Sequence, residues 1–163
     1  MDKYKVSLTR LSNNAHSNQI VADIMAKDVK HKYFAKDCID DSYIDYSELA
    51  EIYLIFSYIY VIEYDDNKVG ILSFNNDSSI EIYVDPEYQH MGIGSSALRL
   101  FENIAKEEFE KEFIKAEIRK DDIISSKLLN SAGYEKTGEE REIPVNQHYI
   151  TAIKYKRQIN NSK

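Results

Sequence analysis

The feature that most constrains this fold is a strand that ends in a polar loop and runs into a helix opened by two glycines. Ile80 to Val84 alternate as strand residues do, and Pro86 ends the strand because proline has no N–H to donate to a sheet. Gly92 and Gly94 follow at the start of an amphipathic helix. Such a helix start presents consecutive backbone N–H groups to an anion, and glycine lets the main chain approach it closely. The stretch therefore predicts an anion-binding site, for which a pyrophosphate is the natural occupant.

Hydrophobic periodicity predicts an α+β fold around this stretch. Apolar residues recur at helical spacing early in the chain, and the alternation typical of strands begins at Tyr58. The predicted elements are, in order, a strand at 5–11, helices at 15–30 and 43–56, strands at 58–64, 69–74 and 80–84, a helix at 95–111, a strand at 113–118, a helix at 122–132, and strands at 134–143 and 149–156. The predicted core-facing stripe of the longest helix consists of Ala97, Leu98, Phe101, Ile104 and Ala105.

The composition is typical of a single globular domain spanning 1–163. Of the 163 residues, 43% are hydrophobic and 30% are charged, and no Pro/Gly/Ser-rich linker divides the chain. A net charge of −7 argues against a nucleic-acid partner and mildly favours a cationic one. Cys38 is the only cysteine, so no intramolecular disulfide can form, and no apolar run approaches the roughly 18 residues of a membrane span. We therefore expect a cytoplasmic protein with no membrane partner.

The loop and its flanks resemble a known family. Gln89-x-x-Gly92-x-Gly94 is similar to the motif of the GNAT superfamily of N-acetyltransferases, in which Gln or Arg precedes x-x-Gly-x-Gly or Ala. The pair Gly133-Tyr134 also resembles a conserved pair of that family. The resemblance implies a central mixed, mostly antiparallel sheet of about six to seven strands, flanked by about four helices. It further implies acetyl-CoA as co-substrate, no metal ion, and an amine acceptor that is a small molecule or a peptide.

The resemblance assigns a set of residues to the cofactor. In this family the pantetheine arm lies in a split of the sheet and pairs with strand backbone, and a main-chain N–H near Val84 would polarise the thioester carbonyl. The implied cofactor-binding residues are Ile82, Tyr83, Val84, Gln89, His90, Met91, Gly92, Ile93, Gly94, Ser95, Ser96 and Asp122. Asp122 is included because it stands where an Asn often contacts the pantetheine. Ser95 and Ser96 are predicted to donate hydroxyl groups and to cap the helix.

Glu81 is the candidate catalytic residue. Strand alternation turns it away from Ile80, Ile82 and Val84, and the resemblance places that side of the strand toward the acceptor. There a carboxylate could take a proton from the amine, directly or through water. A solvated or ion-paired strand glutamate is the competing interpretation. No general acid is assigned, because Leu129 stands where many members carry a tyrosine. A tyrosine from elsewhere in the chain or a water molecule could protonate the leaving thiolate, or the thiolate could leave unprotonated.

Further functions stay open on the sequence alone. Gly92-x-Gly94-x-x-Ala97 formally matches a dinucleotide-binding fingerprint, but in that fold the first glycine follows its strand directly, whereas a polar loop of about seven residues intervenes here. The chain contains no Gly-x4-Gly-Lys-Ser/Thr sequence, so no P-loop is predicted. A module that binds acyl-CoA without catalysis and a protein-interaction domain are also compatible with the sequence. Family members often form dimers, which makes a homodimer a further expectation.

Overall fold

The computed structural model describes residues 5–28, 45–145 and 147–159. The described helices are α1 (Ala15–Met25), α2 (Tyr46–Phe56), α3 (Ile93–Glu107) and α4 (Ile123–Ser131), with a short 3₁₀ helix at Pro86–Tyr88. The described strands are β1 (Val6–Leu11), β2 (Tyr58–Tyr64), β3 (Asn67–Phe74), β4 (Ile80–Val84), β5 (Phe113–Arg119), β6 (Glu135–Val145) and β7 (His148–Gln158). Cys38 lies outside the described residues.

The strands form two antiparallel sheets that meet at one point. β1, β2, β3 and β4 lie in that order in the first sheet, and β5, β7 and β6 lie in that order in the second. An isolated parallel bridge between Ser79 and Lys115 joins the sheets, and the Lys115 N–H donates to the Ser78 carbonyl at 2.8 Å. No further ladder joins β4 to β5 in the described part of the chain, so the two strands separate beyond this bridge. The predicted α+β fold is confirmed, and the split between the two sheets falls between β4 and β5.

Helix α3 packs against the sheets and forms the main core. The predicted stripe residues that are completely buried are Ala97, Leu98, Phe101 and Ala105, and Ile104 is half-buried. The ring centroid of Phe101 lies 4.8 Å from that of Phe74 on β3 and 5.5 Å from that of Tyr60 on β2. The predicted face of this helix is therefore confirmed, and Phe101 stands at the centre of an aromatic cluster.

Helices α1 and α2 cover the opposite face of the first sheet. Each begins at an Asx cap, Asn14 for α1 and Asp45 for α2, whose side-chain oxygen accepts a backbone N–H of the first turn. The helices are joined where Asn18 Nδ2 donates to the Ser47 carbonyl at 3.2 Å. Beneath them lies a second core of Val21, Ala22, Ile24, Met25, Ala50, Leu54, Ile59, Val61, Ile71 and Tyr83. Strand β4 thus has one core on each face.

Several predicted boundaries differ from the structure, among them the ends of α1 and α3, which lie at Met25 and Glu107. Two of the differences have a local reason. Helix α3 begins at Ile93 rather than Ser95, because Gly92 adopts the left-handed conformation (φ 79°) and serves as the cap residue. Strand β3 begins at Asn67 because the preceding turn is confined to Asp65 and Asp66, both of which have positive φ. None of the described helices has the length and apolar character that crossing a membrane requires.

Candidate active site

The separation of β4 and β5 opens a cavity of about 960 Å³ beyond the bridge at Ser79 and Lys115. Glu81 and Ile82 line it from β4, and Asp122 and Ser125 line it from the start of α4. Its remaining walls come from β5, β6 and β7. A cleft of this volume is large enough for a sizeable organic ligand.

Ile82, which lines this cavity, and Val84 direct their main-chain groups to the edge of β4 away from β3. The Asp85 N–H donates to the Val69 carbonyl on β3 at 2.7 Å, so Asp85 and Val69 form a hydrogen-bonded pair between the two strands. Backbone direction alternates along an antiparallel strand, so Tyr83 also points its N–H and C=O toward β3. Ile82 and Val84 direct theirs to the other edge, from which β5 has moved away. This free edge can pair with an extended ligand as an added strand would.

Gln89 ties the loop after β4 to the same edge. Its Nε2 donates to the Val84 carbonyl at 3.0 Å. Asp85 stabilises the start of the loop, since its Oδ1 accepts from the Glu87 N–H at 3.0 Å. The Val84 carbonyl thereby accepts a hydrogen bond, and the Val84 N–H and both main-chain groups of Ile82 are left on the free edge of β4. The predicted contact of Gln89 with a cofactor stays a prediction; its observed role is to hold the loop on β4.

The loop ends at the N-terminus of α3, in a backbone conformation open to a ligand. His90 and Gly92 have positive φ, 65° and 79°. No described side chain caps the helix, and a Cβ added at Gly92 would meet no described heavy atom within 4 Å. The first hydrogen bond of the helix runs from the Ser96 N–H to the Gly92 carbonyl, at 3.1 Å. The backbone N–H groups of residues 93–95 therefore have no acceptor within the helix. Donors and open space together suit an anionic group.

The prediction that Ser95 and Ser96 cap α3 is wrong. Both lie inside the helix because it begins two residues earlier, and the Ser95 Oγ lies 2.8 Å from the Ser131 Oγ on α4. Gly94 has a packing role as well. A Cβ there would lie 2.9 Å from Leu128 Cδ1, so glycine lets α3 and α4 approach each other. Cofactor contacts by these residues stay predictions.

Glu81 lies on the cavity edge of β4, on the side covered by α1 and α2. Its side chain is exposed, and the Tyr53 hydroxyl on α2 donates to its Oε2 at 3.0 Å. Ile80, Ile82 and Val84 pack on the other side, in the core under α3. The predicted alternation of β4 is therefore confirmed, while the catalytic role of Glu81 stays a prediction.

Comparison with known proteins gives the family of this chain. The profile of the acetyltransferase (GNAT) family matches residues 25–134, which is more than half of the sequence. The chain belongs to the GNAT acetyltransferase family. No curated relative matches it by sequence.

Solved GNAT structures share the fold at low sequence identity. An acetyltransferase from Salmonella typhimurium that modifies the N-terminal serine of ribosomal protein L7/L12 is similar with a TM-score of 0.74 and 16% identity, over 96% of this chain and 100% of that one. A putative acetyltransferase from the same organism, solved with its cofactor acetyl-CoA, has a TM-score of 0.71 and 17% identity over 96% and 95% of the two chains. The spermidine N-acetyltransferase from Vibrio cholerae, in complex with CoA and spermine, has a TM-score of 0.71 and 15% identity over 94% and 95%.

Helix α4 of this GNAT chain presents no tyrosine to the cavity. Leu129, at the position where the family motif often has one, is buried in the core. Asp122 caps the helix, since its Oδ1 accepts from the Ser125 N–H at 3.0 Å and its Oδ2 accepts from the Ser125 hydroxyl at 2.7 Å. A tyrosine hydroxyl nevertheless reaches α4 from β7: Tyr155 Oη lies 2.8 Å from Ser126 Oγ. Sequence reasoning missed this contact, although the alternation of β7 already turned Tyr155 inward.

Tyr83 is a second tyrosine of the site region, on the face under α1 and α2. Burial raises the pKa of Tyr83 well above its usual range, and the carboxylates of Asp28 and Asp85 and the hydroxyl of Tyr46 reinforce the shift. Its phenol therefore stays neutral and is a weak proton donor. Its backbone points toward β3 and its side chain lies under α1 and α2, and the predicted cofactor contact of Tyr83 stays a prediction.

Ion pairs neutralise charged groups on the second-sheet side of the GNAT cavity. Arg141 Nε and Nη2 lie 2.8 and 2.6 Å from the Glu117 carboxylate, and this hydrogen-bonded pairing raises the pKa of Arg141. Lys154 Nζ lies 3.6 Å from Glu139 Oε2. Among the described residues Glu81 belongs to no ion pair, so its charge is open to a cation. The same residues include no group of three or more His, Cys, Asp or Glu that could hold a metal ion.

Proposed function

We propose that this protein transfers the acetyl group of acetyl-CoA to a primary amine, by direct attack of the amine while both substrates are bound. The observation that carries the proposal is the cavity between β4 and β5. It is bordered by the free backbone edge of β4, and the loop that contains Gln89 connects this edge to the N-terminus of α3. Membership of the GNAT family supplies the reaction class.

The residues around this cavity fit acetyl-CoA. The N–H groups of residues 93–95 would bind the pyrophosphate, and Gly92 leaves room for it. The main chain of Ile82 would pair with the amides of the pantetheine arm, and the Val84 N–H would polarise the thioester carbonyl. Bound acetyl-CoA supplies a thioester that is activated toward amines.

Glu81 is the group that we assign to the amine. As a carboxylate without an ion-pair partner in the described structure, it would attract the acceptor ammonium group and take a proton from it, directly or through water. The neutral nitrogen then forms a bond to the carbonyl carbon and the carbon–sulfur bond breaks. The nitrogen loses its second proton as the amide forms, and this proton passes to the CoA thiolate. The products are an amide and the free thiol of CoA, with the first proton delivered from Glu81 to solvent.

We propose a small molecule or a peptide with a primary amine as the acceptor. The similar structures include a protein that modifies an N-terminal serine and one that is named for spermidine. A net charge of −7 favours a cationic acceptor by long-range attraction, and this attraction weakens as salt is added.

Thiol release from acetyl-CoA tests the function. The protein is incubated with acetyl-CoA and polyamines, aminoglycosides, amino acids or peptides, and released CoA is measured with a thiol reagent while mass spectrometry identifies the acetylated amine. We expect release above the amine-free background for at least one class. Binding of CoA without release for any amine would favour the second candidate, a non-catalytic acyl-CoA-binding module, which the buried Leu129 at the motif position suggests.

Replacing Gly92 by valine should weaken CoA binding at least tenfold, which is about 1.4 kcal/mol. A β-branched residue resists a φ of 79°, and its side chain would fill the space assigned to the pyrophosphate. Calorimetric titration with CoA measures the change. Gly138→Val is the matched control, because Gly138 also has positive φ (90°) and open space around a Cβ but lies in β6. Unchanged affinity in Gly92→Val, or an equal loss in both variants, would contradict this placement.

A further inference from the structure

Tyr53 lies on the face of α2 that packs on the first sheet. The inward residues of this helix recur at helical spacing and are Tyr46, Leu49, Ala50, Tyr53 and Leu54. This packing carries Tyr53 to the edge strand β4. There its hydroxyl donates to Glu81 Oε2 at 3.0 Å.

This contact restrains a side chain that is otherwise free to move. Glu81 is exposed at the cavity edge, and an exposed glutamate populates several rotamers. A hydrogen bond from a neutral donor to a carboxylate is stronger than one between two neutral groups. Among the described residues, Tyr53 is the hydrogen-bond partner of the Glu81 carboxylate. The bond engages one oxygen and leaves Oε1 for another ligand.

We infer that Tyr53 is a positioning residue for Glu81, which holds one carboxylate oxygen so that the other meets the acceptor amine. The inference rests on the proposed function, in which Glu81 takes the amine proton. Tyr53 contacts neither the acetyl group nor the acceptor in this scheme. It acts through Glu81, and it makes α2 part of the acceptor side of the site.

Titratable groups lie on both sides of the strand that carries Glu81. On the cavity side these are Asp77, Lys115, Glu117, Arg119, Asp122, Glu139, Arg141, Lys154 and Lys156. On the side of α1 and α2 they are Asp28 and the phenols of Tyr46 and Tyr83. These groups stay in place when the Tyr53 hydroxyl alone is removed. A change in pH dependence on its removal therefore reports on the bond to Glu81.

Tyr53→Phe is the test, because it keeps the ring and removes the donor. We expect kcat to fall about tenfold with the KM for acetyl-CoA unchanged. A donor favours the ionised carboxylate, so the acidic limb of the pH–rate profile should move to higher pH in the variant. Tyr58→Phe is the control, since Tyr58 packs its ring against Phe109 at 4.8 Å in the core under α3. It should leave the limb where it is.

A double-mutant cycle separates this inference from the function on which it rests. In a Glu81→Gln background, Tyr53→Phe should cause no further fall in kcat, because the carboxylate that it positions is gone. If Glu81→Gln is impaired while Tyr53→Phe keeps the parent rate and limb, the positioning role is wrong and the proposed function stands. If Glu81→Gln keeps full activity, the roles of Glu81 and Tyr53 are both wrong while acetyl transfer stands. If the parent acetylates no amine, the proposed function and the positioning role fall together. A lower melting temperature with an unmoved limb would reduce Tyr53 to a packing residue.

Discussion

Replacing Phe101 by alanine should lower the free energy of unfolding by about 3–5 kcal/mol. The side chain is completely buried, and it contacts the rings of Phe74 and Tyr60 between α3 and the first sheet. Truncation leaves a cavity that these rings cannot fill without leaving their own contacts. Urea unfolding measures the loss, and for a chain of this length the melting temperature should fall by roughly 6–20 °C.

Leu100→Ala is the matched control for this prediction. Leu100 is the preceding residue of the same helix and is 38% exposed. Its truncation changes helix propensity little and opens no enclosed cavity, so we expect a loss of less than about 1 kcal/mol. Equal losses for the two variants would mean that the buried face of α3 is not the one seen in the structure.

The start of α3 was largely predictable because its determinants are local. Gly92 and Gly94 follow the end of β4 at Val84 within about ten residues, so the local sequence predicts a turn into a helix. The role of Gly94 was not predictable, since it depends on Leu128, which reaches it from another helix. The error over Ser95 and Ser96 has a local cause. A glycine in the left-handed conformation starts the helix without any side-chain cap.

The gap between β4 and β5 was predicted from the family resemblance and not from the alternation of apolar and polar residues in the strands. Alternation in each strand says which side chains are buried, but it does not say where two strands cease to pair. The separation beyond Ser79 and Lys115 depends on the register of residues 36 positions apart. The bond from Gln89 to the Val84 carbonyl is likewise a result of how the loop folds back on the strand.

The contact between Tyr53 and Glu81 is the part of the site that the sequence signalled least. The inward positions of α2 follow a helical period, so a tyrosine facing the sheet could be expected. Which strand it reaches depends on how α1 and α2 lie across the sheet, and that packing is tertiary. The exposed carboxylate of Glu81 acquires a defined orientation only through it.

Replacing Glu81 by glutamine should lower kcat by at least about a hundredfold while CoA affinity stays nearly unchanged. The amide keeps the shape of the side chain and can still accept the Tyr53 hydrogen bond, but it neither takes a proton nor attracts an ammonium group. CoA affinity should hold because the assigned cofactor contacts at Ile82 and Val84 are made by the main chain. Glu63→Gln is the matched control, since Glu63 is also a strand glutamate that accepts a hydroxyl hydrogen bond, from Thr9 at 2.8 Å.

The pH–rate profile of Glu81→Gln separates two roles for the carboxylate. If Glu81 takes the proton, the parent loses activity toward low pH as the carboxylate becomes protonated, and this acidic limb disappears in the variant. If it only orients the ammonium group, the variant shows a higher KM for the amine and keeps the limb. Full activity of Glu81→Gln at every pH would make Glu81 an ordinary strand residue. The proton would then pass to water or to a group from another part of the chain, and the free charge at the cavity edge would have no part in the chemistry.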